Sequence, residues 1–279
     1  MTGTVEPTDL EAGRDFFCGE EASLRTLHVV EGFAFQRCTK CGLVLVNPRL
    51  TDEARWREVY TQAYHAPRRF SLPRRAVKGL KEWLLLPIKP RDRQVRRVRL
   101  VERYVPRGPI RLLDVGCWTG EFLERARELH PDWQLKGLEP GAAAAEVARS
   151  QRGLEVVTGA LEEGSLPPQS CEAVTMWHVL EHLSDPPAAF RQVARLLAPG
   201  GFLLLRTPNY ESLHRRLYRR RWCGFLPREH LYIFTLDTLR RLLEEAGLEM
   251  VRPRPFLLAK WASSTYVAAV KSRQPPIAA

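Results

Sequence analysis

The chain of 279 residues is expected to fold as an α/β protein, a doubly wound and mostly parallel sheet preceded by a small β-rich unit. Three observations lead there. From Ile110 onward, short apolar runs alternate with amphipathic stretches of helical period, the pattern of strands joined by crossover helices. The first of these runs ends at Val115 and opens into a helix through Gly116 and Gly120. Ahead of them, three of the six cysteines fall between Phe16 and Pro48, among alternating apolar residues.

Composition excludes several classes. Hydrophobic residues make up 44% and charged residues 27%, enough apolar surface to bury a core, which argues against a disordered chain. No run approaches the ~18 apolar residues of a membrane-spanning helix, so no membrane insertion is expected. The start lacks a basic segment followed by an apolar one, so a cytoplasmic location is expected. In that compartment, cysteines are read as thiols or metal ligands rather than disulfides. The net charge is +11, with 36 of the 43 cations being Arg, a field that attracts anionic partners.

Residues 1–14 are polar and acidic and read as loose, and Phe16–Pro48 read as β-rich. Helical stretches are expected at Asp52–Tyr60, Arg74–Leu86 and Arg91–Tyr104. In the last of these, Val95, Val98, Val101 and Val105 recur three or four apart and make one apolar stripe on a basic helix. Strands are expected at Ile110–Val115, Gln134–Leu138, Leu154–Thr158, Glu172–Trp177 and Gly201–Thr207, each apolar and bounded by turn residues. The helices between them are Thr119–Leu129, the Ala-rich Ala142–Ser150 and Pro187–Leu197, the last stopped by Pro199-Gly200-Gly201. A basic, aromatic insertion precedes the helix Leu236–Ala246, and two strands near Glu249–Arg252 and Ser264–Val270 would complete a seven-stranded sheet. The organisation read from this is a cysteine unit over 1–50, a helical linker or cap over 51–108, and the α/β domain over 109–279 with a lid-like insertion at 208–234.

Ligands of such sheets bind at the carboxyl ends of the strands. There, the run LDVGCWTGEF ending at Phe122 lets the backbone turn and approach a ligand at Gly116 and Gly120. The dinucleotide fingerprint G-x-G-x-x-G is absent. Asp114 stands just before the turn, and Glu139 closes the second strand where a carboxylate can accept both hydroxyls of a ribose. The stretch from Ile110 to Val270 resembles the class I S-adenosylmethionine-dependent methyltransferases. LDVGCWTGEF is similar to their first motif and GLEP to their second. EAVTMWHVLEHLSDP and PREHLYIFTLDTLRRLLEEAGLE resemble a bacterial subgroup that carries an N-terminal zinc-ribbon-like unit. The resemblance implies a Rossmann-like methyltransferase fold and S-adenosylmethionine as cofactor. It implies that Asp114, Gly116 and Gly120 hold the methionine part, Glu139 the ribose hydroxyls, and Ala160 and Leu161, with Glu162, the adenine, Cys117 and Pro140 being further cofactor-binding residues. Trp177 and His178 would face cofactor and acceptor. A base is needed only where an acceptor hydroxyl must lose its proton. His178, His182 and His230 are the candidates, with His178 and His230 the expected catalytic pair.

The Cys38-Thr39-Lys40-Cys41-Gly42 knuckle is spaced for two thiolates to chelate one ion. The subgroup's zinc ribbon has an earlier pair of cysteines. Here Asp15 stands in the first position and Cys18 in the second. A structural zinc would therefore be held by Cys18, Cys38 and Cys41 with Asp15, or with His28. The amine-methylating Asn/Asp-Pro-Pro-Tyr motif is absent after the fourth strand, and neither Cys117 nor Cys171 is placed as the nucleophile of a cytosine methyltransferase. The expected acceptor is a small polar metabolite or saccharide. The alternatives are an RNA acceptor gripped by the cysteine unit and Arg219–Arg221, or a catalytically silent cofactor-binding module.

Overall fold

The computed structural model describes residues 6–57, 90–161, 166–251 and 263–272. The expected helix Arg74–Leu86, residues 58–60 of the expected helix Asp52–Tyr60 and Glu162 lie outside them. Five short strands lead the chain: β1 (Leu10–Glu11), β2 (Leu24–Val30), β3 (Phe33–Cys38), β4 (Val44–Val46) and β5 (Arg49–Leu50), followed by the single-turn helix α1 (Asp52–Arg55). Residues 10–11 are not loose. They pair antiparallel with β5, and Arg49 Nε donates to Glu11 Oε1 at 2.7 Å.

The α/β part opens with helix α2 (Pro90–Val101), whose Val98 and Val101 are buried as the stripe predicts. Then come β6 (Arg111–Val115), α3 (Glu121–Leu129), β7 (Gln134–Glu139), α4 (Ala142–Arg152), β8 (Val156–Thr158) and β9 (Cys171–Trp177). They are followed by α5 (Pro186–Leu196), β10 (Leu197–Pro208), α6 (Leu213–Tyr218), β11 (Tyr232–Ile233), α7 (Leu236–Glu245), β12 (Leu248–Val251) and β13 (Ser264–Lys271). Seven strands form one sheet in the order β12-β13-β10-β9-β6-β7-β8. β13 runs antiparallel to both its neighbours, and the other pairings are parallel. The central strands are apolar on both faces because helices cover both. Leu113, Val115, Val174 and Met176 pack with Phe190 of α5 and Leu239 of α7, whereas Leu112, Ala173 and Leu204 pack with Val98 and Leu123. Local signals set the ends. Asp185 caps α5 through the Ala188 amide, and Thr235 with Thr238 closes a capping box on α7.

The amino-terminal unit and the insertion, read as separate pieces, are joined. β11 pairs with β4, completing a four-stranded antiparallel sheet in the order β11-β4-β3-β2. Period-two alternation splits β4 between two cores. Leu45 faces the α/β core with Tyr232, and Val44 and Val46 face a second cluster with Phe35, Trp222 and Phe225. Among the described residues no helix is long and apolar enough to cross a membrane.

Leu45→Ala should therefore destabilise the α/β domain, although residue 45 lies outside it in sequence. The expected loss is about 2–5 kcal/mol for a buried Leu truncation. Urea unfolding followed by far- and near-ultraviolet circular dichroism should show it in one shared transition, and two separated transitions would contradict the common core.

Candidate functional site

The carboxyl ends of β6, β7, β8 and β9 border a cavity of about 860 Å³. Gly116 lines it in the left-handed region, at φ +69°, where a Cβ would come within 2.5 Å of Val179 Cγ2. Only glycine lets the chain turn there. Glu139 lines the cavity at the end of β7 and is itself buried. The Gly141 amide donates to its Oε1 at 2.8 Å and the Trp118 amide to its Oε2 at 2.9 Å. Burial raises its pKa, and these two amides pull it back. Each carboxylate oxygen is thus fixed in direction and keeps acceptor capacity for a ligand hydroxyl.

Pro140, Ala160 and Leu161 line the far side, and Trp177 and His178 the end of β9. The buried Nε1 of Trp177 has no hydrogen-bond partner among the described residues. Asp114, Cys117 and Gly120 do not reach the cavity wall. Asp114 is buried one layer beneath, accepting from Thr175 Oγ1 at 2.6 Å. Burial pushes its pKa up to about 7, against the Thr175 hydrogen bond and the charge of Arg97. Arg97, from α2, lies over the Trp177 ring with its guanidinium carbon 5.0 Å from the centroid.

His178 also adopts a left-handed conformation, φ +62°, a strained choice for a non-glycine residue. Its amide donates to the Arg206 carbonyl at 2.8 Å, and its Nδ1 lies 2.9 Å from Glu181 Oε1. Glu181 is fully buried and also accepts from Thr207 Oγ1 at 3.0 Å. Burial raises its pKa, but the His178 hydrogen bond and nearby imidazoles outweigh that and hold it below the usual carboxylate range. Burial keeps His182 and His230 neutral.

His230 does not line the cavity. It is buried behind His182, ring centroids 4.9 Å apart, and its Nδ1 is 2.8 Å from the Gly224 carbonyl. His182 is the ring that lines the wall, in a 3-10 turn, Leu180–His182. The cavity also borrows Asp52, Arg55 and Trp56 from α1 and the residues after it, and Arg55 Nη2 donates to the His182 carbonyl at 2.6 Å. Sequence reasoning passed over these residues.

In the amino-terminal unit, Asp15, Cys18, Cys38 and Cys41 gather, one ligand atom of each lying within 4.8 Å of the others. Cys41 Sγ donates to Asp15 Oδ2 at 3.2 Å, and the amides of Phe17 and Cys18 hold Oδ1. Asp15 is buried and its pKa is lowered, with the Cys38 and Cys41 thiols and these amides outweighing burial. His28 stands apart, its ring 5.3 Å from that of Phe225.

A profile of the methyltransferase-domain family matches residues 90–252, more than half of the chain. The chain belongs to that methyltransferase family. Ubiquinone biosynthesis O-methyltransferase of Klebsiella pneumoniae is 37% identical over 106 residues, 36% of this chain and 43% of that protein. tRNA U34 carboxymethyltransferase of Syntrophotalea carbinolica is 32% identical over 167 residues, 55% of this chain and 49% of that protein. The chain thus spans less than half the length of these two curated relatives. A SAM-dependent methyltransferase from Archaeoglobus fulgidus superimposes with a TM-score of 0.52 at 18% identity, covering 69% of this chain and 100% of the other, a likeness of fold. Family and fold together make S-adenosylmethionine the cofactor. The buried, amide-pinned Glu139 and the Gly116 cradle suit it.

The raised pKa of Asp114 carries a pH signature. A carboxyl whose pKa is higher folded than unfolded stabilises the fold while protonated, and that contribution is lost as pH rises from about 4 to about 7. The stability difference between Asp114→Asn and the wild type should therefore move in favour of the variant across that window, by up to ~4 kcal/mol, and stay flat above it. Chemical denaturation at a series of pH values measures this, and a pH-independent difference would contradict it.

Proposed function

We propose that the protein transfers a methyl group from S-adenosylmethionine to an oxygen, nitrogen or carbon atom of a small polar metabolite or saccharide-type acceptor. The observation that carries this reading is the cavity. Its volume of about 860 Å³ falls within the range of small-molecule sites, ~300–1,000 Å³, and α1 helps to wall it. The name of the ubiquinone-biosynthesis relative supports a small-molecule acceptor. The RNA reading draws on the tRNA-modifying relative and on Arg219–Arg221, which are exposed and do not line the cavity.

The cofactor supplies an already activated methyl group. Proximity and alignment are then the chain's main contribution, which in well-oriented reactions accounts for ~7–11 kcal/mol of barrier. Glu139 would accept from the ribose hydroxyls, and Pro140, Ala160 and Leu161 would flank the adenine. Gly116 would let the backbone close on the methionine part, with Asp114, Cys117 and Gly120 shaping that turn from beneath. Trp177 would wall the acceptor end. For a hydroxyl acceptor, His178 would take the proton at Nε2 while Glu181 on Nδ1 fixes the tautomer and steadies the charged ring. His230, away from the cavity, would act only through His182.

The donor set of Asp15, Cys18, Cys38 and Cys41 fits a structural zinc, three soft thiolates and one carboxylate with no position left for water. It would tie the segment before β2 to the β3–β4 turn.

Glu139→Ala should weaken S-adenosylhomocysteine binding by calorimetry, since each charge-assisted hydrogen bond lost is worth ~1.5–3 kcal/mol. His178→Ala should leave that affinity intact and slow transfer of labelled methyl into cell extract ~10²–10⁴-fold. Transfer abolished by nuclease treatment of the extract would favour the RNA acceptor, and a wild type that binds no cofactor would sink the whole reading.

For the cysteine site, elemental analysis should find zinc in the wild type and little in Cys41→Ser, whose melting temperature should also fall. Asp15→Cys should tighten zinc binding, because thiolate is the softer ligand. Metal-free protein whose melt ignores both substitutions would show that the thiols only pack.

A further inference from the structure

Glu181 and His182 leave the end of β9 in a single 3-10 turn, and His230 arrives from the insertion just before β11. One ligand atom of each lies within 4.8 Å of the other two. The surrounding hydrogen bonds decide which atoms these rings offer. Nδ1 of His182 is 2.8 Å from the Glu229 carbonyl, and Nδ1 of His230 is 2.8 Å from the Gly224 carbonyl. A carbonyl can only accept, so in each neutral ring Nδ1 carries the proton and Nε2 presents a bare lone pair. Glu181 adds a carboxylate that is buried from solvent. Two imidazoles, each with a lone pair at Nε2, and a carboxylate are therefore gathered in a low-dielectric interior, an arrangement that a positive charge would relieve.

Backbone carbonyls on Nδ1–H are also how proteins aim imidazoles at a metal. Two imidazoles and one carboxylate make a donor set suited to Mn²⁺, Fe²⁺, Co²⁺ or Zn²⁺. We propose that Glu181, His182 and His230 bind one divalent first-row transition-metal ion beside the acceptor end of the cavity. His182 and His178 both line that cavity, so the ion would have an open face toward the acceptor. Resting on the methyl-transfer reading, its use there would be to coordinate an acceptor oxygen and lower the pKa of its hydroxyl. The site is separate from the cysteine cluster and differs from it in chemistry, because thiols must release protons to bind a metal and bare imidazole nitrogens need not.

The probe is Mn²⁺, a poor partner for thiolates, added to the full-length protein after dialysis against a chelator. Electron paramagnetic resonance should show one bound ion per chain, retained in Cys41→Ser and bound at least about tenfold more weakly in His182→Asn and His230→Asn. S-adenosylhomocysteine binding checks that these variants fold. In the wild type, Mn²⁺ should broaden the ring resonances of His182 and His230, with neighbouring His178, a readout that needs no variant. No saturable binding up to millimolar Mn²⁺, or broadening that spares those two rings, would overturn the site. Methyl transfer failing while Mn²⁺ still binds would sink the functional reading and leave the metal site standing.

Discussion

The strand Val44–Val46 is buried on both faces, and much of the rest depends on that. One face feeds the α/β core through Leu45, and the other closes the Trp222–Phe225 cluster. Because β4 also pairs with β11, the amino-terminal sheet cannot shift without disturbing the insertion. That clamp brings α1 to the cavity wall, where Arg55 reaches the His182 carbonyl. It also fixes His230, which β11 follows within two residues. The carboxyl edge of the parallel sheet supplies the cofactor side of the site, and the clamp supplies the other.

Electrostatics follow the same division. On the α2 side of the sheet, Asp114 lies beneath the Gly116 turn with Thr175 and Arg97. On the opposite side, Glu181 is wrapped by His178 and Thr207, with His182 and His230 held neutral by burial. His178 links the two by its left-handed backbone, which carries the chain out of β9 across the sheet edge. Backbone strain of this kind, of order 1–3 kcal/mol, persists where surrounding contacts over-determine it, and here the Arg206 carbonyl and Glu181 both hold the residue.

The features legible in the sequence are local ones. The Gly116 turn, the acid ending β7 and the alternation of strands and helices are each written within a few neighbouring residues, so spacing was enough to place them. Cys38 and Cys41 were legible from their knuckle spacing, whereas Asp15 and Cys18 came from the resemblance to the subgroup's earlier cysteine pair, with His28 left open until the structure set it apart. The pairing of Tyr232 with Leu45 was not, because it joins residues far apart through a two-residue strand too short to leave a period. The exchange of His230 for His182 at the wall has the same origin. It follows from the 3-10 turn and the grip of Arg55, neither of which is written in the residues around 180–183. Asp114 lies beneath the cavity surface and not on it, because alternate residues of a strand face different layers.

The central claim is that the carboxyl edge of this sheet holds S-adenosylmethionine with Glu139 on the ribose. A crystal structure with S-adenosylhomocysteine tests it most directly. The account predicts ligand density along the cavity from Gly116 to Leu161, both ribose hydroxyls within hydrogen-bond reach of the Glu139 carboxylate, and the sulfur toward Trp177 and His178. A ligand bound elsewhere, or a ribose turned away from Glu139, would contradict it.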